Sequence, residues 1–347
     1  MCYFEINLCI NLGYSTRIYN LSLWHSIYLQ RMNRSLTGTI FLLLLCASEL
    51  YSQRSPKYSN EFLSIGVGAR ALGMSNTQAA IANDVTAGYW NPAGLVDIST
   101  KYEASLMHAE YFAGIAKFDY LSFATKVDSS SAFGISLIRF AVDDIPDTRF
   151  LYDVNGAINY DNIRFFSAAD YAFLISYARK LNILDGLKVG GNFKVIHRVA
   201  GDFASAWGFG LDAGAQLKVK EWQVGLMLRD ITGTFNAWNH NTTLVEDVYL
   251  QTDNEVPDNS IEVTLPKMII GVARYIPIRK KFGALASLDL VTTFDGQRNV
   301  IVKVDPVSID PSLGFEFDYL RTVFLRLVAG NVQEIKSFDD STYWSFQ

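Results

Sequence analysis

WGFGLDAGAQLKV, residues 207–219, separates into two sets of side chains. Trp207, Phe209, Leu211, Ala213, Ala215, Leu217 and Val219 fall on one face; Gly208, Gly210, Asp212, Gly214, Gln216 and Lys218 fall on the other. Successive side chains of an extended backbone point to opposite sides, so the stretch is a strand with one apolar face. A soluble β-sandwich also alternates, but its solvent faces are usually rich in Lys, Glu, Thr and Ser. Here the polar face is thick with glycine, and small and charged residues of this kind suit a lumen.

The pattern repeats outward along the chain. Leu187, Val189, Phe193 and Val195 oppose Lys188, Gly190, Asn192 and Lys194. Trp222, Val224, Leu226 and Leu228 oppose Gln223, Gly225, Met227 and Arg229, and Leu313, Phe315, Phe317 and Tyr319 oppose Gly314, Glu316 and Asp318. Eleven strands are predicted, near 101–109, 117–127, 131–143, 165–179, 186–198, 205–219, 221–231, 266–276, 282–294, 312–320 and 321–331. They are longer than the soluble average of about 5–6 residues and match tilted membrane strands of about 9–11. Aromatic residues recur near strand ends (Tyr111, Phe112, Trp207, Trp222, Tyr275, Phe282, Tyr319), where an interfacial girdle would place them. Every second connection is short, whereas 144–164, 232–265 and 295–311 are long. That sorting is the pattern of an outer-membrane barrel with its long loops outside. A twelfth strand begins within 341–346. Such barrels close with an even strand number, so the chain reads as cut short by roughly two or three strands.

Residues 32–53 read MNRSLTGTIFLLLLCASELYSQ: a basic residue, a short apolar run and a small-residue cleavage point, the layout of a secretory signal peptide. The expected division is 1–52 as upstream sequence plus signal, with the start at Met32, 53–100 as an N-terminal plug and 101–347 as an incomplete barrel. Cys2, Cys9 and Cys46 all precede the cut, which removes disulfides, thiolate metal sites and a cysteine nucleophile from the mature chain. The formal charge of −5 gives no electrostatic reason to expect nucleic acid. His108, His197 and His240 show neither nucleophile nor metal spacing, and Asp143-Asp144 reads as a solvated turn. No catalytic residue, metal or cofactor is expected, and the chain does not read as an enzyme.

Ahead of the first strand lies EFLSIGVGARALGMSNTQAAIANDVTAGYWNPAGLVDIS, residues 61–99. Gly66-Val67-Gly68-Ala69-Arg70-Ala71 has the spacing of a nucleotide-binding glycine loop, but no βαβ alternation surrounds it. Residues 78–88 are a short helix at most, and Asn91-Pro92 opens a turn that Gly94 ends. A compact, glycine-rich segment fits a plug inside a lumen, where side-chain room is scarce. Its marked residues are Gly66, Gly68, Arg70, Gly73, Asn91, Pro92 and Gly94. Arg70 is expected to meet a lumen carboxylate: Asp212, Glu316 or Asp318.

FLSIGVGARALGM followed by YWNPAGL resembles the N-terminal hatch of the PorV/PorQ family, within the FadL-like outer-membrane barrels of Bacteroidota and related bacteria. DDIPDT (143–148), FSAADYAFLISYAR (166–179), RDITGTFNAW (229–238), TLP (264–266) and DPSLGFEFDYL (310–320) extend the likeness over about 61–335. The resemblance implies an all-β, transmembrane antiparallel β-barrel of the 14-stranded type, truncated here to about 11–12 strands, with an N-terminal lumenal plug. It implies an accessory subunit of the type IX secretion system that sits in outer-membrane lipid and meets a large translocon and cargo C-terminal domains. The alternative is a FadL-like channel for a hydrophobic ligand. Partner capture would fall to apolar and aromatic residues in the long loops: Phe150, Leu151 and Tyr152 in the third connection, Phe235, Trp238, Leu244, Val245, Tyr249 and Leu250 in the seventh. Those loops could equally pack on one another over the barrel mouth.

Overall fold

The computed structural model describes residues 59–347 apart from 154, 245, 252–253, 280, 331, 337–341 and 346–347. The export segment, the three cysteines and Val245 lie outside the described residues.

One antiparallel sheet holds fourteen strands. They are β1 (Tyr102–Tyr111), β2 (Ala116–Lys126), β3 (Ser131–Asp147), β4 (Arg164–Lys180), β5 (Leu187–Ala200), β6 (Ala204–Val219), β7 (Trp222–Arg229), β8 (Thr234–His240), β9 (Ser260–Thr264), β10 (Lys267–Arg279), β11 (Phe282–Thr293), β12 (Val302–Val304), β13 (Val307–Tyr319) and β14 (Val323–Ala329). Eleven of these are the predicted rows, paired in sequence from β1 through β7 to β10, β11, β13 and β14. Among the described residues β1 and β14 each pair on one side only, so these strands do not close the wall.

Burial is inverted relative to a soluble protein. The outward face carries exposed Leu106, Phe123, Leu137, Phe173, Phe193, Phe209, Leu211, Phe315 and Phe317. The inward face buries Ser136, Ser176, Asn192, Lys194, Asp212, Gln216, Asp289 and Glu316. Water would reward the reverse arrangement, whereas lipid outside and a filled lumen inside reward this one. The architecture is therefore an antiparallel β-barrel wall of the transmembrane type, in which the backbone groups of the strands between β1 and β14 find partners on neighbouring strands. Residues 207–219 follow their predicted faces: Trp207, Phe209 and Leu211 are exposed and Asp212 and Gln216 are buried.

Three expectations change. Residues 232–265 are not all loop: β8 prolongs the wall past the end of β7, pairing with β6 from Phe209↔Phe235 to Ala204↔His240, and β9 pairs with β8. The chain steps between β7 and β8 through Asp230, at φ 56°, and Gly233, at φ 67°. Ile231 N–H returns to Leu211 O at 2.9 Å, which keeps β6 bonded across the break. Second, the strand at the C-terminus, β16 (Thr342–Ser345), does not join the wall. It pairs with β15 (Gln333–Lys336) in a separate hairpin, which Lys303 Nζ and Asn299 hold through Glu334. Third, Tyr111 and Tyr275 leave the outer girdle and pack inward with the plug-side clusters. Along β10 both faces are apolar, so alternation alone could not orient Tyr275. Trp222, Phe282 and Tyr319 stay exposed near the short-turn end.

The plug fills the inside of this wall. A 3-10 turn (Glu61–Ser64), α1 (Ala69–Leu72), α2 (Ala87–Trp90) and a 3-10 turn (Pro92–Asp97) are joined by tight turns. Residues 78–86 are turns rather than helix. The main core is plug against wall: Val67, Ala87, Tyr89, Leu95 and Ile98 pack on Phe118, Tyr120, Ile138, Leu174 and Ile196. One further helix, α3 (Glu246–Gln251), lies in the seventh connection.

Candidate functional site

The site is the plug and the lumen face that receives it. Its first half is held by two aromatics of the second half. Tyr89 OH donates to Leu63 O at 2.7 Å and accepts from Gly66 N–H at 3.1 Å, and Trp90 Nε1 donates to Val67 O at 3.0 Å. Gly66 sits at φ 99°, and a Cβ there would meet the Asn76 amide at 2.7 Å. The glycine loop thus closes on Tyr89 and Trp90, and its N–H groups do not form a phosphate cradle. Gly68 caps α1 at its start and Gly73 at its end. Burial holds the Tyr89 hydroxyl above its usual pKa, with Arg229 opposing that rise.

Asn91 is the pivot. Fully buried, it caps the turn that Pro92 begins, accepting from Ala93 N–H at 3.2 Å. Its amide donates to Ala79 O at 2.7 Å, and reaches Ala215 O on β6 at 3.1 Å and Leu226 O on β7 at 3.3 Å. One side chain therefore joins two parts of the plug to two wall strands. Gly94 N–H bonds back to Asn91 O at 3.0 Å, and a Cβ on Gly94 would strike Ala82 O.

The wall meets the plug backbone without side chains in between. A Cβ on Gly225 would collide with the Ala79 carbonyl, and one on Gly190 would stand 2.6 Å from Ala93 N. Around these contacts the wall supplies single polar groups. Asn192 Nδ2 donates to Gly88 O at 2.9 Å, Gln216 Nε2 to Ala82 O at 3.0 Å, and Asp289 Oδ2 accepts from Ala79 N–H at 3.0 Å. Arg229 donates to Leu63 O and Tyr89 O while its guanidinium lies 4.8 Å from the Tyr89 ring.

Three charge clusters complete the site. Of the three expected acids, Glu316 takes Arg70: Nε to Oε2 at 3.1 Å and NH2 to Oε1 at 3.2 Å, with Arg326 Nε on the same Oε2 at 2.7 Å. Asp212 belongs to a second cluster with Lys194 (2.8 Å) and Asp230 (2.5 Å from Lys194), closed by Thr234 donating to Asp230. Asp318 instead accepts from Tyr275 OH at 3.0 Å. At the start of the plug, Glu61 pairs with Lys267 at 3.0 Å and Arg298 at 2.9 Å, and Arg298 also holds Asp295. Burial would raise the Glu61 carboxyl, but Lys267 and Arg298 prevail and hold it below its ordinary value. The second and third clusters join residues distant in sequence, and only the inward parity of Lys194 and Asp212 hinted at either.

Between plug and wall lies a cavity of about 710 Å3. Ile65, Leu72 and Trp90 line it from the plug and Ile269, Val291 and Val328 from the wall, with the Glu61–Lys267–Arg298 cluster at its polar side.

The loop residues divide. Phe150 and Tyr152 are exposed on the connection after β3, with Arg164 4.3 Å from the Phe150 ring. Leu151 N–H closes a turn onto Thr148 O, and its carbonyl accepts from Asn159. Phe235 and Trp238 lie on β8: Phe235 packs on Phe209, and Trp238 donates to Glu262 at 2.8 Å beneath Arg198. Tyr249 on α3 borders a smaller cleft with Phe203 and His240. The third and seventh connections touch through Arg149 NH1 and Leu244 O at 2.5 Å. His108 faces outward beside Asp119, and His197 stacks on Trp207 at 4.1 Å. No group of three or more metal-ligating side chains occurs among the described residues.

No family model matches the chain, and no curated protein matches it. Solved structures do. The toluene transporter TbuX of Ralstonia pickettii is 12% identical over 81% of this chain and 86% of its own, with a TM-score of 0.44. A FadL homologue of Pseudomonas aeruginosa is 11% identical over 76% of this chain and 79% of its own, with a TM-score of 0.42. The PorV/PorQ resemblance finds no support in these comparisons.

Proposed function

We propose that this chain is a plugged outer-membrane barrel that passes small hydrophobic molecules through the space between plug and wall. The cavity of about 710 Å3 carries the reading. Its size lies within the roughly 300–1,000 Å3 of small-molecule sites, and apolar side chains line it from both plug and wall. The secretory segment at 32–53 and the lipid-suited outer face support the outer membrane as its location. A role in type IX secretion keeps one specific support, the exposed aromatics Phe150 and Tyr152 on a long connection.

The test is uptake of a radiolabelled small aromatic compound by cells carrying the chain, the Val291→Trp form, or neither. The expected result is faster uptake with the chain and loss of the gain when the indole fills the cavity. Equal uptake in all three cells would remove the channel reading. If pull-down from detergent extracts instead recovers a large translocon barrel, and Phe150→Ser with Tyr152→Ser abolishes that recovery, the secretion role takes its place.

A further inference from the structure

We propose that three arginines on the outer face, Arg179, Arg274 and Arg279, bind the phosphate groups of anionic phospholipids in the leaflet at the short-turn end of the wall, whatever the lumen carries. Parity places all three on the lipid side. Arg179 continues the exposed row Phe173, Ile175 and Tyr177 of β4, Arg274 lies opposite Trp222, and Arg279 lies opposite Phe282. Each therefore stands beside an exposed aromatic residue, and the Arg274 guanidinium is 5.1 Å from the Trp222 ring. All three mark strand ends: Arg179 is the last residue but one of β4, Trp222 opens β7, Phe282 opens β11 and Arg279 ends β10.

These arginines are exposed, and none makes an ion pair among the described residues. At the long-loop end of the outer face cations are matched instead: Lys117 pairs with Asp143 at 2.8 Å and Arg139 with Asp119 at 2.9 Å. Near the short turns of β5, β6 and β7 the outward residues are Leu187, Val189, Leu217, Val219 and Val224, none of them acidic. The ends of the same three hairpins add exposed Lys180, Lys218, Lys220 and Lys281 against Asp185 and Glu221. An unpaired cation facing hydrocarbon is costly, so its stem lies along the apolar surface and its head reaches the headgroup layer. The group it meets there is phosphate, which the guanidinium fork binds through two parallel hydrogen bonds. A zwitterionic lipid carries its own cation beside that phosphate and an anionic lipid does not. Near an anionic surface each Arg or Lys adds about fivefold to binding.

The probes are phosphatidylglycerol and phosphatidylcholine with identical acyl chains, added to the full chain folded in detergent. Native mass spectrometry reads the lipid retained at each lipid concentration. The expected result is that phosphatidylglycerol binds about tenfold tighter than phosphatidylcholine, and that the preference shrinks as ammonium acetate is raised. Combining Arg179→Gln, Arg274→Gln and Arg279→Gln is expected to reduce the preference to about twofold or less. The lysine form (Arg179→Lys, Arg274→Lys, Arg279→Lys) is expected to keep the larger part of it. Gel mobility of the folded barrel checks that each form has folded. Equal binding of the two lipids by the unaltered chain overturns the inference without any variant. A preference that persists in the folded glutamine form overturns it as well, since the lipid then binds elsewhere. Binding of polyglutamate in place of lipid would assign the arginines to an acidic protein and overturn it too. None of these outcomes bears on the channel reading.

Discussion

Arg70 and Glu316 are 246 residues apart in the chain and meet through two nitrogen–oxygen contacts, at 3.1 and 3.2 Å, that tie the plug to β13. Glu316 is the more committed partner, since Arg326 shares its Oε2 at 2.7 Å and its side chain is 8% exposed against 31% for Arg70. The pair is therefore asymmetric. Arg70→Gln leaves Glu316 with Arg326, and is expected to cost about 1 kcal/mol or less after solvent screening. Glu316→Gln faces two guanidinium groups with a neutral amide and is expected to cost about 2–3 kcal/mol. Urea unfolding followed by gel mobility of the folded barrel ranks the two, and the reverse order would dismiss the asymmetry.

Gly225 is expected to accept no side chain at all. A Cβ there runs into the Ala79 carbonyl, which the Asn91 amide already fixes at 2.7 Å. Gly225→Ala is expected to shift the plug and cost about 1–3 kcal/mol as overpacking. Gly191, on the outward face of the wall, is the control: its nearest neighbour is Asp212 O at 3.3 Å, and a slight wall adjustment admits alanine. Limited proteolysis within 59–98 should accelerate in Gly225→Ala alone. Equal protection in both variants would mean that plug and wall are not in close backbone contact.

These two cases mark what the sequence could convey. Period-two alternation orients each strand, so the lumen face of 207–219 and the inward Asp212, Glu316 and Asp318 were legible, as was the need of Arg70 for one of them. Which acid Arg70 takes depends on where the plug rests, and that follows from contacts such as Gly225 with Ala79, separated by more than a hundred residues. The step at Asp230 was illegible for a related reason. RDITGTF reads as a strand running into a loop, while the structure bends it at a left-handed residue and resumes the wall. Where both faces of a strand are apolar, as around Tyr275, alternation carries no orientation.

Lys194 is expected to be the costliest single charge to remove. It is 2% exposed and compensates two carboxylates, Asp212 and Asp230, at the break between β7 and β8. Lys194→Met leaves both acids buried and adjacent, which is expected to cost about 3–5 kcal/mol. Combining it with Asp230→Asn should restore a large part of that loss, because one carboxylate then remains where two repelled. A double-mutant cycle on unfolding midpoints measures the coupling, and strict additivity would show that the three groups do not act as a unit.

Glu61 sets a pH limit on how the plug begins. Its carboxyl, with an ordinary value of 4.5, is lowered by Lys267 and Arg298 despite burial, and Arg298 likewise lowers Asp295. A lowered carboxyl contributes stability that is fully present above its unfolded pKa and is lost as pH falls through the folded one. The contacts of residues 59–72 with β10 and the connection after β11 should therefore be intact from neutrality down to about pH 4.5 and loosen progressively below it. Residues 87–95 contain no carboxyl side chain and are held by Asn91 and apolar packing, so they serve as internal reference; Asp97, just beyond them, pairs with Lys188 at 2.5 Å. Amide exchange from pH 7 to pH 3, corrected for intrinsic rates, should show protection at 59–72 falling in the acid range while 87–95 holds. In Glu61→Gln the acid step should shrink and protection at neutral pH should already be lower, since Lys267 and Arg298 then lack the charge that draws them together. Parallel loss of protection in both halves would show that acid loosens the barrel as a whole and that Glu61 is not the group that fastens the start of the plug.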